Sequence, residues 1–198
     1  MSRLRFLLTE VLWLLSEMEA IPATTGSSLV LRRLFLRSRW VKYGKHLWIG
    51  RSFRLMESGR LVLGDRCSLG DYVYIQNSSR ITIGDDFLSA SRLMIYSGSH
   101  DCVTLMPTFA PVSIGNRVWC GANVTILPGV TIGDDVVIGA GSVVRGEVPS
   151  NSVVAGVPAR VIRPLDRPVG ATVASWTNSW HYTEAVCCQK SVQSHKKI

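Results

Sequence analysis

The chain has little that would carry it across a membrane. Its N-terminal apolar segment, SRLRFLLTEVLWLLSEME, is too short and too interrupted to span a bilayer. Glu10 inside that segment also argues against a secretory signal, although Arg3 and Arg5 precede it. Cysteine is sparse. Cys67, Cys102, Cys120, Cys187 and Cys188 are odd in number and fit no zinc spacing, so the expected setting is a reducing compartment, the cytoplasm. Histidine is rarer, with only His46, His100, His181 and His195. No low-complexity tract stands out, and a hydrophobic content of 46% excludes disorder as a description of the whole chain. A length of 198 residues suits one domain with appendages.

Acid is missing from one segment altogether. Between Ser27 and Arg54 there are eight Lys or Arg and no Asp or Glu. The formal charge of +8 is thus uneven: residues 55–159 hold six basic and nine acidic residues, and the two flanks are basic. The basic segment reads either as a solvated collar or as a surface for anionic membrane, phosphate or polyanionic glycan. No nucleic-acid motif accompanies the charge, and no nucleic-acid partner is expected.

What is abundant is a repeat. Ile114, Cys120, Ile126, Ile132, Ile138 and Val144 fall every six residues. Six is not a helical period, and hexapeptide repeats are the signature of a parallel β-helix, an all-β solenoid. Upstream, LWIG, LVLG, ITIG, VSIG and VTIG recur as short alternating strands, each closed by glycine. Glycine at positive φ is the expected means of turning each corner. Three sixes make a turn of 18 residues, the step from Ile114 to Ile132, with a two-residue slip between Ile81 and Ile83. The step from Ile83 to Ile114 is 31, which leaves an excursion of 13 residues, Asp101 to Ser113. Insertions in a solenoid become loops on one face, often the functional one.

The expected organisation is therefore an N-terminal amphipathic helix and linker at 1–28, a basic lead-in at 29–46, a β-helix at 47–163 with its inserted loop at 101–113, and a tail at 164–198. The first segment has apolar residues at Leu4, Leu7, Leu8, Val11, Leu12, Leu15 and Met18, helical spacing. Such a helix lies on a membrane surface, packs on a partner subunit, or caps the open end of the coil. The first use would put the protein against the inner face of the cytoplasmic membrane.

Three residues around the excursion carry chemistry. His100 stands at the mouth of the loop, and an imidazole titrates near neutral pH, so it can take a proton from a sugar hydroxyl. Asp101 either orients that imidazole or opens the loop with a turn. Trp119 precedes a repeat position, so its ring points outward, where it can stack on a sugar or a cofactor arm or lie in a subunit interface.

The run VWCGANVTILPGVTIGDDVVIGAGSVV, continued by EVPSNSVVAGVPARVIR, resembles the hexapeptide region of the left-handed parallel β-helix acyltransferases. The resemblance covers about residues 47–163. It is strongest to the galactoside and maltose acetyltransferase branch, and within it to O-acetyltransferases of lipopolysaccharide, O-antigen and capsule biosynthesis. It implies a left-handed coil, acetyl-CoA as acyl donor with no metal, and a glycan or glycan-precursor acceptor. It also implies a homotrimer whose site lies between two coils. It makes His100 the general base, assigns Asn77, or Gln76 beside it, to the acceptor, and puts Trp119 at the border of the site; Asp101, next to the base, is the third candidate for the acceptor, and a stacked polar corner is the other use of Asn77. It lays the cofactor arm along Gly121, Ala122 and Ala140. Relatives carry Lys after the GAGSVV phrase where this chain has Arg145 and Gly146, so Arg145, Arg160 and Arg163 are the candidates for the cofactor phosphates.

The function expected from these readings is acetyl-CoA-dependent O-acetylation of a sugar hydroxyl of a bacterial surface polysaccharide or its precursor. The alternatives are N-acetylation of an amino sugar nucleotide and a non-catalytic β-helix assembly module. A zinc carbonic anhydrase on the same fold needs three histidines about one metal, and only His100 lies inside the coil.

Overall fold

A computed structural model describes Val11 and residues 26–57 and 59–167. The helix expected over Leu4–Met18 and the aromatic tail around Trp176 lie outside these residues, apart from Val11. The rest is a parallel β-solenoid with three flat faces. One face stacks six strands, from Lys42–Tyr43 through Leu61–Leu63, Ile81–Ile83, Val112–Ile114 and Thr131–Ile132 to Glu147–Val148. The second face runs from Trp48–Ile49 to Ser152–Gly156, and the third from Arg54–Leu55 to Val143–Val144. The coil thus begins at Lys42, inside the stretch read from sequence as a basic lead-in to residue 47.

The sixes arise because each face turns two residues inward, two apart, and then bends. Leu61 and Leu63, Cys67 and Leu69, and Val73 and Ile75 are buried pairs on successive faces. They join one continuous apolar core with Ile81, Ile83, Ile114, Ile126 and Ile138. Each such side chain contributes about 1.5–3 kcal/mol by leaving water. Both cysteines of the repeat are part of it. Burial pushes the Cys67 thiol up to about 11 and raises that of Cys120 further, so both behave as small hydrophobes.

Turn length is not uniform. Leu61 pairs with Ile81, a step of 20, whereas Ser113 pairs with Thr131, a step of 18, and Thr131 with Glu147, a step of 16. The difference between the first two lies at the corner joining the third face to the first. Five residues separate the buried Ile75 and Ile81 there, but three separate Ile126 and Val130. The two-residue slip in the sequence is this longer corner.

The open N-terminal end is closed by a helix, Gly26–Ser38. Residues 26–28, read as linker, are its first turn. Phe35 and Leu36 enter the core. In later coils the carbonyls of inward residues accept from the preceding turn, as Cys67 O does from Trp48 N–H and Ile75 O from Met56 N–H. The first coil has no preceding turn. Arg33 donates to Leu47 O at 2.7 Å, Arg32 to Ile49 O at 2.7 Å and Arg39 to Leu55 O at 3.3 Å. Part of the acid-free segment is therefore a cap for orphaned carbonyls. At the other end Ala159–Pro164 folds back antiparallel on Ser152–Gly156.

Candidate active site

Each of the three corners stacks into a column along the coil, and two of the columns differ in what they do with backbone N–H groups. At the first corner the phrases are Gly64-Asp65-Arg66, Gly84-Asp85-Asp86, Gly115-Asn116-Arg117 and Gly133-Asp134-Asp135. The N–H of each second residue donates to the side chain of the second residue one turn on. Lys45 N–H reaches Asp65 Oδ1 at 2.7 Å, Asp65 reaches Asp85 at 2.8 Å, Asp85 reaches Asn116 at 2.8 Å, Asn116 reaches Asp134 at 2.6 Å and Asp134 reaches Ser150 Oγ at 3.0 Å. The third residues add Arg66–Asp86 and Arg117–Asp135 pairs at 2.8 and 2.7 Å.

The glycines here do not supply positive φ, as the sequence suggested. That conformation falls on the third residue, for example Arg66 at 56° and Arg117 at 55°. The glycine is needed because a Cβ at Gly84 would stand 2.5 Å from Asn116 Oδ1 and 2.8 Å from the backbone of Gly115. Coils spaced for parallel pairing leave no room for a methyl group at that point.

At the second corner the ladder stops. Arg51 N–H still donates to Asp71 Oδ1 at 2.7 Å. Higher up, the second residues are Ser91, whose hydroxyl accepts no bond from the turn before it among the described residues, and then Ala122 and Ala140, which carry no acceptor; no hydrogen bond among the described residues engages the N–H of either alanine. Gly121 is as tightly stacked as its counterparts, since a Cβ there would lie 2.6 Å from Ala140 N. The corner is thus closely packed at these turns, its second residues there carry no polar side chain, and it presents their two backbone donors. Trp119 flanks it from the second face, half exposed and paired in register with Leu88 and Val137. Arg160 lies opposite Ala155, the residue stacked over Gly139, which brings it to the end of this column. Arg145 is at the third corner instead, and Arg163 is opposite Val153 on the second face. The described guanidinium contacts of Arg160 and Arg163 are to the carbonyls of Ala159 and Pro164, at 3.0 and 3.1 Å.

The excursion leaves from the third corner as a hairpin. Gly98–His100 pairs antiparallel with Pro107–Phe109, and Val112 is already back in the coil beside Ile81, so the insertion sits a few residues earlier than 101–113. His100 is exposed at the outer end of its strand. Asp101 is turned into the loop, where its Oδ1 accepts from the N–H groups of Val103 and Thr104 at 3.0 and 2.8 Å and from the Thr104 hydroxyl at 2.9 Å. These bonds, the Thr104 N–H foremost, lower its pKa. Of its two readings, these contacts correspond to the turn.

Asn77 is elsewhere than the resemblance implies. It is fully buried, accepting from Glu57 N–H at 2.8 Å and donating to Glu57 O at 2.9 Å. Both ends of its amide join two turns, and its full burial leaves it out of reach of an acceptor. Gln76 beside it is different: its Oε1 is buried with no hydrogen-bond partner among the described residues, and its Nε2 lies next to Gly98 at the root of the hairpin. Tyr74, Met94 and Tyr96 share that outer face, with the two rings 5.7 Å apart. No periodic signal marks this group in the sequence, because outward residues carry no repeat.

The bacterial transferase hexapeptide family (six repeats) matches residues 111–146. Over 139 residues the chain is 40% identical to the provisionally named lipopolysaccharide biosynthesis O-acetyl transferase WbbJ of Escherichia coli K12, covering 62% of this chain and 71% of that protein. It belongs to the hexapeptide-repeat acetyltransferases. The galactoside O-acetyltransferase of the same bacterium is 34% identical, with 68% of this chain and 69% of that protein covered. A galactoside acetyltransferase solved with coenzyme A superposes with a TM-score of 0.66 at 27% identity, over 82% of this chain and 81% of that one. A hexapeptide-repeat acetyltransferase of Vibrio cholerae, solved with acetyl coenzyme A, gives 0.69 at 27%, over 80% and 86%. The fold is that family's left-handed parallel β-helix. Among the described residues no group of His, Cys, Asp and Glu could hold a metal ion.

Proposed function

We propose that this acetyltransferase moves an acetyl group from acetyl-CoA to a sugar hydroxyl of a bacterial surface polysaccharide or its precursor. The observation that carries the reading is the bare second corner. Its two free N–H groups and close-packed glycines suit an extended amide-containing arm, such as the pantetheine of CoA, laid along the coil. Relatives of this fold were solved with coenzyme A or acetyl coenzyme A, which supports the same donor. Arg160, at the end of that column, is the best placed of the three arginines for the cofactor phosphates.

His100 is the general base in this reading. Its imidazole takes the hydroxyl proton as the sugar oxygen attacks the thioester carbonyl. The tetrahedral adduct then collapses, the C–S bond breaks, and the imidazolium returns the proton to the departing CoA thiolate. Gln76 takes the acceptor role that Asn77 cannot fill. Within one chain the hairpin and the bare corner stand on different edges of the prism, with the third face between them. A complete site therefore needs the hairpin of one copy against the bare corner of another, which supports a homotrimer.

The test is acetyl transfer from acetyl-CoA to a panel of neutral glycosides, amino sugars and phosphorylated precursors, read by mass spectrometry. His100→Ala is expected to lower kcat by about 10²–10⁴ with the fold intact. Turnover near the wild-type rate would remove His100 from the mechanism, and a monodisperse monomer in light scattering would remove the shared site. No helix of the described residues is long and apolar enough to cross a membrane. Peripheral contact through the N-terminal segment is tested by liposome sedimentation of the full chain against one lacking residues 1–25; unchanged sedimentation would refute it.

A further inference from the structure

The longer corners of the first turns form a groove. It has a volume of about 840 Å³, lies between Lys42, Glu57, Arg60, Ser78 and Arg80, and is closed on one side by Phe109. Phe109 belongs to the same hairpin as His100, two residues beyond its strand partner Pro107. The groove and the proposed base are therefore held by one short element.

Its charge is unlike that of the rest of the coil. At the other two corners three arginines meet an Asp one turn on: Arg51 with Asp71, Arg66 with Asp86 and Arg117 with Asp135. Lys42, Arg60 and Arg80 form no ion pair among the described residues. Arg60 donates to the carbonyl of Ser78, which fixes its guanidinium at the groove wall. Glu57 is the single carboxylate of the lining, so the groove keeps an excess of two positive charges. Three convergent cations, a serine hydroxyl and an exposed aromatic ring match a sugar joined to phosphate: the cations and hydroxyl serve the phosphate oxygens, and the ring serves the sugar face.

We propose that this groove binds the diphosphate of a diphosphate-linked sugar acceptor. The inference rests on the reading of His100 as the base that faces the acceptor, and it narrows the acceptor class. A nucleotide-linked sugar and a polyprenyl-linked sugar share this chemistry, and the test separates them.

Calorimetric titration of the full-length protein with inorganic pyrophosphate reads the groove without catalysis. Wild type is expected to bind it in a salt-dependent manner, and Lys42→Gln/Arg80→Gln to bind at least tenfold more weakly at unchanged melting temperature. Equal binding by the two proteins, or none by wild type, would overturn the proposal. Kinetics with a uridine-diphosphate hexose, a farnesyl-diphosphate hexose and a neutral methyl glycoside follow. The double variant should raise KM at least tenfold for one or both diphosphates, leaving kcat and the KM for acetyl-CoA and the glycoside unchanged. The diphosphate that wild type prefers identifies the source. A variant that loses pyrophosphate binding in a protein without any acetyl transfer would retain the groove and defeat the catalytic reading. Transfer to all three acceptors with no KM effect in the variant would do the reverse.

Discussion

The first and second corners of the coil have the same backbone and opposite endings. Both begin, except at Ala90, with a glycine whose Cβ would press on the next turn, and both place positive φ on the third residue. At the first corner a carboxylate, amide or hydroxyl from the following turn satisfies each second N–H. At the second, the ladder gives way to alanines, and the N–H groups of Ala122 and Ala140 stay open. The first column satisfies its own donors; the second leaves the same donors open at residues 122 and 140. In the proposed function, those open donors are what the acyl donor uses.

Substitutions can break that contrast, the strongest at the shared glycines. Gly84→Ala and Gly121→Ala each put a Cβ under 3.0 Å from backbone or ladder atoms of the next turn. Each is expected to cost about 2–3 kcal/mol in urea unfolding, and Gly121→Ala should also raise the KM for acetyl-CoA. If Gly84→Ala were neutral, close stacking would not be what the glycines provide.

Next in size is the ladder itself. Asp134→Ala leaves Asn116 N–H without its acceptor at 2.6 Å. A loss of about 1–2 kcal/mol is expected, as for a deleted helix cap, with kinetic constants unchanged. A change in acetyl-CoA affinity would mean that the two corners are not separate in role.

The smallest effect is the pH dependence of the Arg117–Asp135 pair. The Arg117 guanidinium, bonded to it, holds the Asp135 carboxyl below its ordinary 3.8. A depressed native value means that the contribution is present above 3.8 and is lost as the pH falls through the native value. The difference in stability between wild type and Arg117→Met should therefore be constant near neutrality, about 1 kcal/mol for a part-buried pair at the coil surface, and should vanish in strong acid. A difference that grew in acid would reverse the assigned sign.

The coil was legible because its inward residues repeat, and Ile114 to Val144 mark it without help from any other region. The slip between Ile81 and Ile83 was visible too, but not that it lengthens one corner into a groove. What the sequence hid is whatever depends on contacts between turns. Asn77 looks like a surface polar residue until the turn below places Glu57 against both ends of its amide. The glycines suggest positive φ because only the neighbouring turn reveals the clash. The acid-free segment gave no hint that Arg32, Arg33 and Arg39 would answer carbonyls left bare by the missing turn. The bare corner, by contrast, was written plainly as Gly-Ala at 121–122 and 139–140 against Gly-Asp at 64–65, 84–85 and 133–134. The meaning of that difference required the column geometry.

The central claim is that Ala122 and Ala140 are open so that the acyl donor can use their amides. Ala140→Asp restores the ladder by placing a carboxylate where it can accept from Ala122 N–H, as Asp65 does from Lys45. Titration calorimetry with acetyl-CoA, alongside thermal unfolding, measures the result. The account predicts a melting temperature equal to or above that of wild type and an acetyl-CoA affinity at least tenfold weaker. A variant that binds acetyl-CoA as tightly as wild type would contradict it.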